Sequence, residues 1–447
     1  MYSFSKYLPF YKRNLKLATP VMITQAGQVV VQLADNIMVG HVGTAELAGV
    51  SFANSIFVIG LITLLSFSQG LIPLVGHSVG SGNHEEGAKH LSNSLILNFI
   101  IYTFVGLLLL GAGGLMPFMG QETEVVFFAK EYYFINLISI LPMALFFTSR
   151  FFAEGVGNTK YAMWVTIISN IVNIVLNWIL IYGKLGLPAL GVQGAALATL
   201  LSRIFCAIAF AVLFFVANDL KDYTLRAIHI RPDKNTFKEL FNISLPIALT
   251  GTMESTAFCL FAVIMVGWIG KVELATHQIV QSLGNLSFMV ATGIGAAATI
   301  RVAHQMGAGK KEEARMAGIA SIHMSLAYMG GCGLLFVLLR HHLPYIFTED
   351  PLVIEAAQKL IIALGLYQIF DAIQLTSIAS LRGLKDTKIP MVIAGISYYL
   401  ISVPTGYILA FPCGIGLNGV WYGLAIGLAF AAVVSFTRFI RFKTWQE

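Results

Sequence analysis

Long apolar runs alternate with short polar breaks from one end of the chain to the other. A helix needs roughly 20 residues to cross the hydrocarbon core of a bilayer. Reading runs against breaks predicts twelve such helices, at about residues 15–38, 47–75, 91–115, 126–150, 161–182, 189–217, 238–267, 273–301, 316–340, 352–380, 388–411 and 416–437. The most polar interruption is 218–236, NDLKDYTLRAIHIRPDKNT, which reads as a linker. The expected fold class is therefore an all-α polytopic membrane protein.

Composition agrees. Of 447 residues, 57% are apolar and 11% charged, whereas a soluble domain carries about 25% charged residues. Too little polar surface exists to cover a globule, which excludes a soluble enzyme, a disordered chain and a disulfide scaffold. The basic residues sort by side of the membrane. Twenty-three Lys and Arg fall at the N-terminus, in the even-numbered loops and in a tail that includes Lys443, against five elsewhere. That bias puts both termini in the cytoplasm. The count assigns Arg150 to the fourth loop and includes Arg203 from within the helix that precedes the sixth. Dispersed in this way, the net charge of +6 is not a nucleic-acid footprint, and no nucleic-acid partner is expected. The N-terminal MYSFSKYLPFYKRN lacks a small-residue cleavage site, so no removable signal peptide is expected.

The two halves repeat. IMVGHVGTAELA at 37–48 matches IMVGWIGKVELA at 264–275, and GSGNHEE at 80–86 matches GAGKKEE at 307–313, both 227 residues apart. EGVGNTK at 154–160 matches RGLKDTK at 382–388, and Pro20 matches Pro246. Six predicted helices per half make the copies parallel, a transporter architecture in which two bundles face a cleft and rock about it. The boundaries expected are an N-terminal six-helix lobe at 1–217, a cytoplasmic linker at 218–236 and a C-terminal six-helix lobe at 237–447.

Three carboxylates, Asp35, Glu254 and Asp371, fall inside predicted spans. Each costs on the order of 2.5–3.5 kcal/mol at membrane depth. Their counterparts in the other half are Ala262, Gln28 and Met143, so the shared fold does not require the acids. Polar residues join them at helical spacing: Gln25, Gln28, Gln32 and Asp35; Thr166, Asn170, Asn173 and Asn177; Gln278, Gln281 and Asn285; and Tyr367, Asp371 and Gln374. Such stripes serve either as interhelical hydrogen-bonding glue or as the lining of a hydrated cavity, and Asp35 lies near enough to a helix end to be wet. Oxygen donors without Cys or His sets suit a hard cation rather than a transition metal. Glu254, Asp371 and the Tyr367 hydroxyl would suffice to hold Na⁺ if they meet. Two neighbouring carboxylates in a low dielectric equally serve a proton, so the sequence leaves Na⁺ and H⁺ open. Pro20 removes a backbone hydrogen bond inside the first span and is either a tolerated membrane proline or a hinge. GAGKK at 307–311 departs from a phosphate loop, so no ATP site and no cofactor is expected.

These residues resemble the multidrug and toxic compound extrusion (MATE) family in its NorM-like branch. The likeness rests on the proline-bearing first span followed by LADNIMVG, on both copies of the IMVG–ELA turn, on TMES around Glu254, and on LYQIFDAIQ followed by LRGLKDTK. It implies an antiporter in the bacterial inner membrane that expels organic cations and amphiphilic drugs in exchange for Na⁺ or H⁺. It also implies two lobes around a V-shaped cavity. Residues matching Glu254, Tyr367 and Asp371 would bind the cation. Those matching Asp35, Asn173, Asn177, Thr199 and Gln278 would serve cation or drug binding. Gln32 and Gln281 join the expected cavity by their place on the same stripes. A monomer in direct contact with lipid is the working expectation. Two rivals remain. A lipid-linked sugar flippase of the same superfamily would want a basic cavity, and the buried charges here are acidic. A membrane-embedded enzyme would want a nucleophile–base pair or a metal set, and no spacing supplies one.

Overall fold

The computed structural model describes residues 4–442 and Trp445; Lys443 of the basic tail lies outside them. The described chain is helical almost throughout. Eleven helices are long and apolar enough to span a membrane, or twelve if one bent pair counts as a single span. In chain order they are α1 Leu8–Gly40, α2 Thr44–Gly80, α3 His84–Phe118, the bent pair α4 Thr123–Ile138 and Ile140–Val156, α5 Thr159–Tyr182 and α6 Gly191–Val216. Then follow α7 Lys234–Ile269, α8 Lys271–Gly307, α9 Lys311–Leu338, α10 Pro351–Gly383, α11 Lys388–Ala410 and α12 Leu417–Ile440.

Local chemistry sets where several of these begin. The Asn83 side chain accepts from the Glu86 amide at the start of α3, and Asn158 accepts from the Lys160 amide at the start of α5. At α10, Asp350 accepts from the Leu352 amide, and Pro351 occupies the first helical position, where its missing N–H costs nothing. The matched turns of the two halves share backbone geometry. Gly82 and Gly309 have φ of +72° and +73°, a left-handed conformation that glycine adopts without steric cost.

The chain forms two compact units, one of residues 23–248 and one of residues 1–22 with 249–447. In the first, α4 packs against α2, α3 and α6. In the second, α10 packs against α8, α9 and α12. Two helices are divided between these units. The start of α1 belongs to the second unit, where Asn14 Nδ2 donates to the Ala317 carbonyl and to Ser321 Oγ, both at 2.9 Å. The start of α7 belongs to the first unit, where Phe241 packs edge-on to Phe67 at 6.2 Å. Pro20 and Pro246 each lie two residues before the point where their helix passes from one unit to the other.

The polar stretch 218–236 is more ordered than a linker need be. Asn218–Ala227 is a short helix held to the first unit. Asp219 accepts from Asn158 Nδ2 at 2.8 Å and from the Tyr161 hydroxyl at 2.7 Å, and Tyr223 stacks on His84 at 5.0 Å. Arg150 is not at an exposed helix end, as the charge count had it. It is 4% exposed and paired with Glu154, 1% exposed, with Nε 2.8 Å from Oε1. The i, i+4 spacing lets a single helix bury both charges together.

The fourth span shows why a continuous apolar run need not be a continuous helix. It bends by 48° at Ser139. The Ser139 amide bonds to the Asn136 carbonyl at 3.0 Å, and its hydroxyl donates to the same carbonyl at 2.5 Å. A side chain competing for the ladder is a recognised cause of such kinks.

Close approach between helices gives a stability test. A Cβ on Gly423 of α12 would lie 2.3 Å from the backbone of Gly406 in α11, while one on Gly330 of α9 would meet nothing within 4 Å. Gly423→Ala should cost about 1–3 kcal/mol through overpacking. Gly330→Ala should be neutral or stabilising by up to about 1 kcal/mol through helix propensity. Thermal unfolding of the purified variants in detergent checks this, and equal midpoints for the two would contradict it.

Candidate functional site

Each unit contains a polar cluster at membrane depth. In the unit of residues 249–447, α7, α10 and α11 supply it. Two of these helices widen into π-helical turns, Ala257–Phe261 in α7 and Ile396–Ser402 in α11, and the two turns pack on one another. A π-turn shifts the helix register and re-aims the side chains around it. Glu254 sits just before the first turn, and Tyr398 lies within the second. The Tyr398 hydroxyl lies near Glu254 and accepts from Gln374 Nε2 at 3.1 Å.

Asp371 on α10 is 2% exposed, and its Oδ1 meets no donor among the described residues. Glu254 lies within electrostatic reach of it. Tyr367, one turn earlier on α10, is within reach of both carboxylates. Its ring is held edge-on between Phe258 at 5.8 Å and Trp421 at 5.9 Å. Arg382 also acts on Glu254. The structure thus brings together Glu254, Tyr367 and Asp371, and adds Tyr398, Gln374 and Arg382 around them. Of the α8 stripe, Gln281 lies near His277, which accepts from Trp421 Nε1 at 3.2 Å. Gln278 is exposed. Among the described residues no group of three or more His, Cys, Asp or Glu side chains is arranged for a metal ion. The cluster instead offers two carboxylates and a phenol, an all-oxygen set of the kind that a hard monovalent ion or a proton uses.

In the unit of residues 23–248, Asp35 on α1 accepts from Asn177 Nδ2 at 2.5 Å, and the same nitrogen donates to Asn173 Oδ1 at 3.1 Å. Asn177 is fully buried, and its Oδ1 has no donor among the described residues. Thr199 on α6 donates to the Ala195 carbonyl at 3.0 Å and lies near the buried Tyr132 hydroxyl, as does Asn54. One turn beyond Thr199 is Arg203. Its Nη1 donates to Asn136 Oδ1 at 3.3 Å and to Ser139 Oγ at 2.5 Å. Its guanidinium lies 5.3 Å from the centre of the Phe57 ring, and it is close enough to Asp35 for the two charges to interact. Asp35, Asn173, Asn177 and Thr199 are therefore in one neighbourhood. Gln32 is exposed on α1, one turn before Asp35, and Pro20 lies inside the unbroken α1.

Arg203 corrects the charge count. It stands twelve residues beyond the start of α6, well inside the span, and not at a cytoplasmic end. The sequence carried the signal. A cation in the middle of an apolar run is as costly as an acid there and merited the same scrutiny. Tyr398 had no such signal, since its aim depends on the π-turn. The two clusters differ in charge. The first holds two carboxylates and one guanidinium, and the second holds one of each.

Comparison with known proteins agrees with this architecture. The MatE family model matches residues 20–179 and 246–408. The chain is 31% identical to the probable multidrug resistance protein NorM of Agrobacterium fabrum, with 96% of this chain and 93% of that protein aligned. It is 32% identical to the multidrug resistance protein MdtK of Pectobacterium atrosepticum, over 99% of this chain and 97% of that one. The crystal structure of the eukaryotic MATE transporter AtDTX14 superposes with a TM-score of 0.89, at 23% identity, over 98% of this chain and 97% of that chain, a likeness of fold. By its matched helices, its relatives and its fold, this chain belongs to the MatE family of polytopic membrane transporters.

Proposed function

We propose that the protein is a secondary active antiporter that exports organic cations and amphiphilic drugs in exchange for Na⁺ or H⁺ across a bacterial inner membrane. In this reading both termini face the cytoplasm, and the chain acts as a monomer. It comprises two six-helix repeats, 1–217 and 237–447, joined by 218–236. The observation that carries the reading is the Asp371 carboxylate, buried within electrostatic reach of Glu254 and with an oxygen that no donor among the described residues reaches. Two carboxylates cannot share a low-dielectric site unanswered. A monovalent cation or a proton answers them, with the Tyr367 hydroxyl as a further oxygen ligand.

The Asp35 cluster receives the cationic part of the cargo, with Asn173, Asn177 and Thr199 orienting the carboxylate and its surroundings. Gln32, Gln278 and Gln281 contribute polar contacts to cargo. The ion and the cargo compete for negative charge, so each lowers the affinity of the other, and this linkage is reciprocal. Pro20 acts as a hinge in α1. The names of the relatives, multidrug resistance proteins, support export of drugs as the activity.

Asp371→Asn should reduce ethidium efflux from loaded cells to the level of cells without the protein, while the amount of protein in the membrane stays unchanged. Retained efflux would refute the role of Asp371. Uptake of ethidium into inverted vesicles under an imposed Na⁺ gradient, then under a pH gradient alone, identifies the ion, and uptake under neither would refute ion coupling. Asp35→Asn should weaken ethidium binding to purified protein by about tenfold, the loss expected for a charged contact. It should leave drug-independent binding of radioactive sodium, where sodium is the ion, within about twofold.

A further inference from the structure

We infer that His277 and Trp421 are a positioning pair for the ion site, the imidazole fixing the indole and the indole fixing the ring of Tyr367. The inference rests on the reading of Glu254, Tyr367 and Asp371 as that site. Trp421 on α12 is 4% exposed and lies in an apolar cluster with Val280, Leu283, Leu360 and Leu364, against which Tyr367 packs. A buried indole N–H needs an acceptor. Its acceptor is His277 Nδ1 on α8, at 3.2 Å. An indole nitrogen only donates, so Nδ1 accepts and the neutral imidazole carries its proton on Nε2.

The shared fold does not call for a histidine here. At the offset of 227 that relates the two halves, His277 falls on Val50, which is 2% exposed, against 1% for His277. The same place in the other copy is thus filled by a plain hydrocarbon side chain. A buried imidazole is costlier than a valine unless its polar atoms are met. Nε2 is buried without a hydrogen-bond partner among the described residues, with Gln281 merely near the ring. What the imidazole adds over a valine is the bond to Trp421.

The indole carries that constraint to α10. Its ring meets Tyr367 edge-on, with centroids 5.9 Å apart and planes at 69°. Phe258, from the π-turn of α7, meets the same phenol ring at 5.8 Å and 90°. Packing alone leaves the outer side-chain torsion of an aromatic residue in a broad well. A hydrogen bond from the indole edge selects one orientation, and with it the wall against which the phenol leans. Tyr367 stands one turn before Asp371 on α10, so a tilt of the phenol moves its oxygen relative to the carboxylate. A site left about 1 Å too loose works poorly.

The test uses three substitutions. Trp421→Phe keeps a ring and loses the N–H, His277→Leu loses the acceptor, and His277→Asn places an oxygen acceptor near the position of Nδ1. Inverted vesicles containing each full-length variant are loaded with graded sodium or set to graded luminal pH, and ethidium uptake gives the luminal cation concentration at half-maximal rate. Ethidium affinity is measured separately on the purified proteins by fluorescence anisotropy. Trp421→Phe and His277→Leu should each raise the half-maximal cation concentration about fivefold, the ratio expected for one neutral hydrogen bond. The double variant should do the same and no more, because both changes remove one bond. His277→Asn should stay within about twofold of the wild type, and ethidium affinity should stay within about twofold throughout. Unchanged half-maximal concentrations in the Phe and Leu variants overturn the inference. So do multiplied effects in the double variant, an Asn variant as impaired as the Leu variant, or a parallel loss of ethidium affinity, which marks a general packing defect. Each of these leaves the ion-site reading standing. A wild type whose uptake responds to neither cation refutes that reading and the inference with it.

Discussion

Charge held away from water governs this protein. A carboxylate or guanidinium at membrane depth persists only where something answers it, because hydrocarbon supplies neither counter-ion nor hydrogen bond. Arg150 and Glu154 answer one another through a bond from Nε to Oε1, one turn apart on one helix. Asp371 has a buried oxygen without a donor among the described residues. Arg203 is answered through one nitrogen of three. In the reading proposed above, the carboxylates Asp371 and Asp35 are the charges kept available for something that comes and goes.

The backbone irregularities fall where the available charges are. The π-turns in α7 and α11 flank Glu254 and carry Tyr398, and the bend in α4 carries the two acceptors that hold Arg203. Regular helices repeat their side chains every 3.6 residues and present each stripe along one face. A cluster fed by several helices needs side chains aimed off those faces. An inserted residue or a side chain that competes for the ladder supplies the change of direction.

Two helices have a double allegiance. The first residues of α1 pack in the second unit and the rest of α1 in the first, while α7 runs the opposite way, with a proline close to each crossing. A proline there frees one carbonyl of its hydrogen bond and loosens the helix where its packing partners change. Pro20 was legible as a place where α1 can bend. Its position near a change of packing partner was not, because the sequence does not show which neighbour each turn of a helix chooses.

Hydropathy by itself determined that the chain is a helical membrane protein, since lipid allows a lone span no other way to satisfy its backbone. It also located nearly every span. The internal repeat singled out Asp35, Glu254 and Asp371, because an acid opposite an uncharged counterpart cannot be a demand of the common fold. Helical spacing placed Asn173 with Asn177, and Tyr367 with Asp371, correctly on shared faces. The tertiary structure decided what meets across helices: that Asn177 reaches Asp35, that Tyr398 comes near Glu254, and that Arg203 lies within electrostatic range of the first acid. It also decided that the fourth apolar run breaks at Ser139 and that 218–236 contains a docked helix. Periodicity records only which residues of one helix share a face. Contacts between helices depend on crossing, bending and register, which packing fixes after each helix has formed.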